Sequence, residues 1–232
     1  MKDFNILLFD GFETLDAFGP AEIISKMSEQ YQLKYYSMNG GIVTSSQDIQ
    51  VNTLCIDALL SGEKRGDDSC DYCEEKSDTT SSEDSVGNSE GNSEGNSSGY
   101  VFMIPGGPAT RTLVNDDSFI SKLRSASKMA THVLTVCTGT ALLAKAGEID
   151  GVKATSNKMA FDWVITQSEK VEWIREARWV IDGNFYTSSG VSAGMDMTLG
   201  FIADLHGESE SVRIAREIEY IWNKDKTQDP FA

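Results

Sequence analysis

His132-Val-Leu-Thr-Val-Cys-Thr-Gly-Thr-Ala-Leu-Leu-Ala-Lys-Ala-Gly147 decides the fold. Its first five residues are a short, nearly unbroken apolar run of the kind that forms a strand buried on both faces. The next three, Cys137-Thr138-Gly139, are a turn, and the remainder has helical spacing and stops at Gly147. Strand, turn and helix in that order place the cysteine on a nucleophile elbow. A thiol at a helix N-terminus is expected to favour thiolate, and the Thr138 amide to point at an oxyanion formed when sulfur attacks carbon. The competing reading is a buried cysteine serving as a small hydrophobe, the commonest fate of a free thiol.

Outward from this stretch, strand and helix patterns alternate. NILLF, ending at Asp10-Gly11, and YVFMI, ending at Pro105-Gly106-Gly107, read as buried parallel strands. Leu15 to Met27 has helical apolar spacing with Pro20 tolerated early, and Thr112 to Met129 reads as one amphipathic helix. QLKYYSM is a further strand, and GGIVTSS with IQVNTLCI forms an antiparallel excursion around Gln47-Asp48. A helix near Met159 to Thr166 follows the elbow helix. EARWVIDGNFYTSSG is a hairpin turning at Asp182-Gly183, and helices over Ala193 to Leu205 and Glu208 to Trp222 close the chain. The expectation is one α/β domain over residues 1–232, a three-layer flavodoxin-like sandwich with a mostly parallel sheet.

Residues 61–99 stand apart. They hold eleven acidic and three basic residues, four residues from the hydrophobic set, and a repeated GNSE. Half of the chain's formal charge of −16 lies there, and the stretch is expected to be a disordered acidic insertion. Cys70 and Cys73 within it are read as an incidental pair, since a zinc site would need two more ligands and offers only Cys55, Cys137, His132 and His206 at irregular spacing. No metal or cofactor is expected. The acidic balance argues against nucleic acid, and no apolar run approaches a membrane span, so a cytoplasmic protein acting on a small molecule is expected.

Sites in parallel sheets form where strand C-termini meet the following loops. Three such ends carry chemistry: the first leads to Asp16, the second ends at Gly106-Gly107 and the third at Cys137. Asp16 lies in the apolar run Leu15-Asp16-Ala17-Phe18, where a carboxyl tends towards a raised pKa and can exchange a proton with a thiol. A helix cap is its alternative role, with Thr14 competing for it. Neither histidine is placed to act as a base.

The set LLFDGFETLDAFGP, VFMIPGG, TVCTGTALLAKAG, KATSNK and DGNFYTSSGVSAGMDMTLGFIADLHG resembles the DJ-1/PfpI superfamily, the class I glutamine-amidotransferase-like fold, and within it the branch of isonitrile hydratases and intracellular proteases or amidases. The resemblance covers nearly everything outside 61–99. It implies a homodimer with Cys137 as the reactive cysteine, Asp16 as its acidic partner, Thr138 beside it, and Gly106 and Gly107 at the oxyanion site. Several members carry a histidine where this chain has Asn157, which has no titratable group near neutral pH, so a Cys-His peptidase is disfavoured and Asn157 becomes a pocket residue. The resemblance thus points to an enzyme, a cysteine-dependent hydratase or hydrolase of isonitrile-hydratase kind. The alternative is a thiol-based redox sensor without a dedicated substrate; glyoxalase or deglycase chemistry fits less well, because its acidic residue is a glutamate in different surroundings. Relatives fused to a helix-turn-helix module suggest a regulator, and the closing EYIWNKDKTQDPFA is read as leaving no room for one.

Overall fold

A computed structural model describes residues 1–62 and 99–232 of the chain. The core of its sheet is the strand pair that the longest apolar runs dictate. β1 (Lys2–Leu7) pairs in parallel with β2 (Tyr31–Ser37) on one side and, through Phe4, Asn5 and Ile6, with β5 (Val101–Ile104) on the other. Every side chain of β5 is buried, as two-sided coverage by helices requires. β3 (Gly41–Thr44) and β4 (Gln50–Cys55) form the antiparallel excursion at one edge, with β4 parallel to β2. Across the sheet, β6 (His132–Val136) lies parallel to β5, and β10 (Phe185–Ser188) parallel to β6. β9 (Trp179–Asp182) closes the other edge as the antiparallel arm of the expected hairpin, with Gly183 at φ 60° in the turn. The order is β3-β4-β2-β1-β5-β6-β10-β9, parallel in its middle and antiparallel at both edges. A two-stranded pair, β7 (Lys153–Ala154) and β8 (Glu172–Trp173), stands outside it.

Helices cover both faces. α1 (Thr14–Ser25), α7 (Ser192–His206) and α8 (Glu208–Glu217) pack together as one layer. α2 (Ile56–Ser61), α3 (Thr110–Leu113), α4 (Asp117–Met129), α5 (Gly139–Lys145) and α6 (Phe161–Ile165) form the other. Phe4 packs edge-on against Tyr31 and Phe201 on the first face, and Phe9 against Phe119 on the second. Fully burying each such ring contributes about 1.5–3 kcal/mol.

Three boundaries and the place of Pro20 depart from the sequence reading. The helix expected over Thr112 to Met129 is two, because Asp116 adopts an extended conformation and its Oδ1 accepts from the amides of Ser118 and Phe119, starting α4 anew. Pro20 lies in the interior of α1 rather than near its start, so the helical bond it would donate to the Asp16 carbonyl is missing. The last helix stops at Glu217, with Glu219 at φ 51°. Finally, Ser61, expected in the acidic insertion, belongs to α2, and Gly62, at φ 69°, ends it. Residues 63–98 of the expected insertion, with Cys70 and Cys73, lie outside the described residues.

Candidate functional site

The strands whose ends carry Asp16, Gly106-Gly107 and Cys137 are neighbours in the order β1-β5-β6. The chain leaves β1 for β2 on one side, while β5 takes its other side. The loops after β1 and β5 therefore diverge and open a crevice, where α/β sheets bind ligands. The sheet topology brings the three predicted strand ends into one place.

Cys137 sits on the turn at φ 58°, a left-handed conformation that costs a non-glycine residue free energy and persists only where its surroundings enforce it. Three contacts do so. The Cys137 amide donates to the carbonyls of Ser188 (3.3 Å) and Ser189 (3.1 Å) at the end of β10, and the Ser156 hydroxyl donates to the Cys137 carbonyl at 2.6 Å. Gly139 packs its Cα against the backbone of Ile104 and Pro105, where any Cβ would collide. The elbow is clamped from both sides of β6.

Asp16 is fully buried. Its Oδ2 accepts from the Gly106 amide at 3.1 Å, while Oδ1, equally buried, has no hydrogen-bond partner. Among the described residues no cation pairs with it. Burial therefore pushes its pKa up to about 7, against the opposing pull of the Cys137 thiol and the amides of Gly106 and Val191, and the nearby Glu13 charge adds to the rise. The thiol and carboxyl are close enough to shift one another's titration, although their alignment falls short of a directed hydrogen bond.

Burial opposes the activation of Cys137 expected from the helix terminus. Cys137 is 8% exposed, and burial, followed by the Asp16 charge, holds its pKa far above the usual thiol range. The Thr138 amide and hydroxyl pull the other way and lose. α5 has seven residues, and a helix terminus contributes about 0.3–1 kcal/mol, too little to offset a buried thiolate beside a carboxylate. Burial thus favours the neutral form of both groups, the thiol by the wider margin.

Both glycine amides expected at the oxyanion site are engaged within the protein. The Gly106 amide is occupied by Asp16, and the Gly107 amide donates to the Thr138 hydroxyl at 3.1 Å. A Cβ on Gly106 would meet Thr138 N, Thr138 Oγ1 and Asp16 Oδ2 at 2.6–2.8 Å, so glycine there lets backbone and carboxyl share the space. The amide facing the sulfur is that of Thr138. Asn157 does not approach as a base: its Oδ1 accepts from the Ala160 amide at 3.0 Å and its Nδ2 lies against Gly190. Sequence reasoning missed Ser156, the carbonyls of Ser188 and Ser189, and Val191, which is held at φ 43° where α7 begins. Ser156 stands in the KATSNK segment, and no spacing rule ties it to Cys137.

His132 packs against Tyr186 and Phe201 at the other end of β6, and His206 pairs with the Tyr31 hydroxyl at 2.8 Å. Both are structural. Among the described residues no cluster of three or more His, Cys, Asp or Glu could hold a metal ion, and no helix is long and apolar enough to cross a membrane. A polar groove of about 570 Å³, lined by Arg124, Lys128, Lys145, Glu148, Asp150 and Lys170, lies at the end of α5 remote from Cys137. Its cations face Glu148, Asp150 and the Ala146 carbonyl.

The model of the DJ-1/PfpI family matches residues 2–204. The chain belongs to the DJ-1/PfpI family. It is 31% identical to isonitrile hydratase from Pseudomonas putida over 120 residues, 52% of this chain and 51% of that protein. It is 24% identical to the HTH-type transcriptional regulator CdhR from Pseudomonas aeruginosa over 93% of this chain and 54% of that protein. The chain thus spans about half the length of the curated relatives it matches. The fold is that of Drosophila melanogaster DJ-1beta, with a TM-score of 0.69, 17% identity, and coverage of 95% of this chain and 99% of that one. A ThiJ/PfpI family protein from Pseudomonas syringae superposes with a TM-score of 0.70 at 21% identity, covering 94% of this chain and 75% of that one.

Proposed function

We propose that this DJ-1/PfpI protein is a cysteine-dependent hydratase of small electrophilic molecules, with isocyanides as the substrate class. The observation that carries the reading is the buried Asp16 carboxyl, cation-free, with a pKa near 7 and set against the Cys137 thiol. Such a carboxyl is poised to take a proton and to return it near neutral pH. The similarity to isonitrile hydratase, which covers half of each chain, supports the choice of substrate.

The thiol is protonated at rest, so attack and deprotonation are coupled. Asp16 takes the thiol proton as sulfur bonds to the terminal carbon of R–N≡C, then delivers it to that carbon, giving a thioimidate R–N=CH–S–Cys137. Asp16, ionised again, takes a proton from water as the hydroxyl adds to the same carbon, and passes it to the nitrogen. The carbon–sulfur bond then breaks as Asp16 moves the hydroxyl proton to sulfur, and R–NH–CHO leaves. One water is consumed and the protein is regenerated. The Thr138 amide, facing the sulfur, stabilises the thiolate leaving group. A buried, protonated thiol speaks against the redox-sensor reading, because oxidation follows thiolate character and exposure.

The test is turnover of a small alkyl isocyanide to its formamide by the wild type, Cys137→Ala and Asp16→Asn. Cys137→Ala should lose at least about a thousandfold in kcat; equal turnover by wild type and Cys137→Ala would end the proposal.

A further inference from the structure

The loop at residues 155–158 holds the elbow, and a buried lysine holds the loop. Ser156 reaches the Cys137 carbonyl, the Thr155 amide donates to Thr187 Oγ1 at 2.9 Å on β10, and Thr155 Oγ1 donates to the Ala177 carbonyl at 3.2 Å. Lys158 turns inward until its side chain is 5% exposed. Its Nζ donates to Thr155 Oγ1 at 2.8 Å, to the Ala177 carbonyl at 2.6 Å and to the Ser156 carbonyl at 3.4 Å, and faces Asp229 Oδ2 at 3.9 Å. That oxygen is buried and makes no hydrogen bond, so the ammonium is its counter-charge together with Arg178, 3.6 Å from Oδ1.

Asp229 arrives from far along the chain. After α8 the backbone runs beside β9, where the Lys226 carbonyl accepts from the amides of Arg178 and Trp179, and the Asp229 amide donates to the Glu176 carbonyl at 2.7 Å. The path from this strap to the site is continuous: Asp229 to Lys158, Lys158 to Thr155 and Ser156, Ser156 to Cys137.

We propose that Lys158, held by Asp229, is a positioning residue that keeps Cys137 in its left-handed turn through the Ser156 clamp. The inference rests on Cys137 being the reacting group of the proposed hydratase. An ammonium with acceptors around it supplies several donors at once; the neutral amine supplies fewer and gives the Asp229 carboxylate no counter-charge. The groups facing Lys158 are Asp229 and Glu176, which favour its charge, and Arg175 and Arg178, which oppose it. Burial outweighs them all and brings its pKa down to about 8. The clamp is therefore intact below pH 8 and loosens above it.

Two readouts test this on the full chain. Amide resonances of Ser156 and Cys137, followed by nitrogen–proton correlation spectra through pH 8, should shift together with a midpoint near 8 in the wild type. The step should vanish in Lys158→Met and move to lower pH in Asp229→Asn, which removes a carboxylate that supports the charge while leaving the lysine in place. With an alkyl isocyanide below pH 8, Lys158→Met should lower kcat about tenfold and leave KM within about twofold. A Cys137 step centred near 8, distinct from any step near 7 due to Asp16, that persists in Lys158→Met, or a Ser156 step near 8 without one at Cys137, would overturn the positioning role. A wild type without isocyanide turnover would sink the hydratase reading, while the spectra would still decide the role of Lys158.

Discussion

Two regions of this molecule bury charge, and they do so in opposite ways. On the β9 side, Asp196 accepts from Arg178 Nε at 2.7 Å, the Tyr220 hydroxyl at 3.1 Å and the Asn223 amide at 2.9 Å, and Arg178 also faces Asp229. At the ends of β1, β5 and β6, Asp16 is just as deeply buried, has one amide on one oxygen and nothing on the other, and stands next to a thiol. In the first, burial still pushes the Asp196 carboxyl above its ordinary range, but Arg178, Asn223 and Tyr220 oppose it and tie the segment after α8 to the sheet. The second leaves its charge exposed to the full cost of burial, which raises its pKa towards neutrality. Buried carboxylates that are paired serve the fold; one that is unpaired beside a nucleophile is a candidate for chemistry.

That contrast can be broken in measurable ways. Arg178→Met strips Asp196 and Asp229 of their shared cation and should destabilise the protein by about 3–5 kcal/mol in urea unfolding, because it leaves buried charge uncompensated. Asp16→Asn should do the reverse. The carboxyl has a folded pKa of about 7 against an ordinary 3.8, so its contribution to stability is fully present below 3.8 and is lost as pH rises through 7. The neutral amide escapes that loss. Asp16→Asn should therefore gain roughly 2–4 kcal/mol on the wild type at pH 8, and little in acid, while losing turnover. Equal pH dependence in the two proteins would place Asp16 among the compensated charges. Ser156→Ala removes one hydrogen bond from the elbow and should cost about 1 kcal/mol, with its effect on kcat exceeding its effect on KM.

Much of this was legible in the sequence. Continuous apolar runs marked β1, β5 and β6, and the punctuation Asp10-Gly11, Pro105-Gly106-Gly107 and Cys137-Thr138-Gly139 marked the ends that carry the candidate site. The order of the strands in the sheet then brings those ends together. What the sequence did not yield depends on contacts between residues distant along the chain. The break before α4 came from one aspartate preferring to cap. Burial of Cys137 beside Asp16, a tertiary property, opposes the thiolate that the dipole of α5 would favour. Ser156 and Lys158 were passed over because their roles are defined by Cys137 and Asp229, 19 and 71 positions away.

The central claim is that Asp16 and Cys137 share a site in which the carboxyl holds its proton close to neutral pH. Infrared difference spectra of wild type against Asp16→Asn, recorded across a pH titration, would show it directly. A protonated-carboxyl band that disappears with a midpoint near 7, and shifts when Cys137 is replaced by alanine, is the predicted result. A carboxyl that is already ionised at its ordinary pKa, and is indifferent to Cys137, would contradict the account.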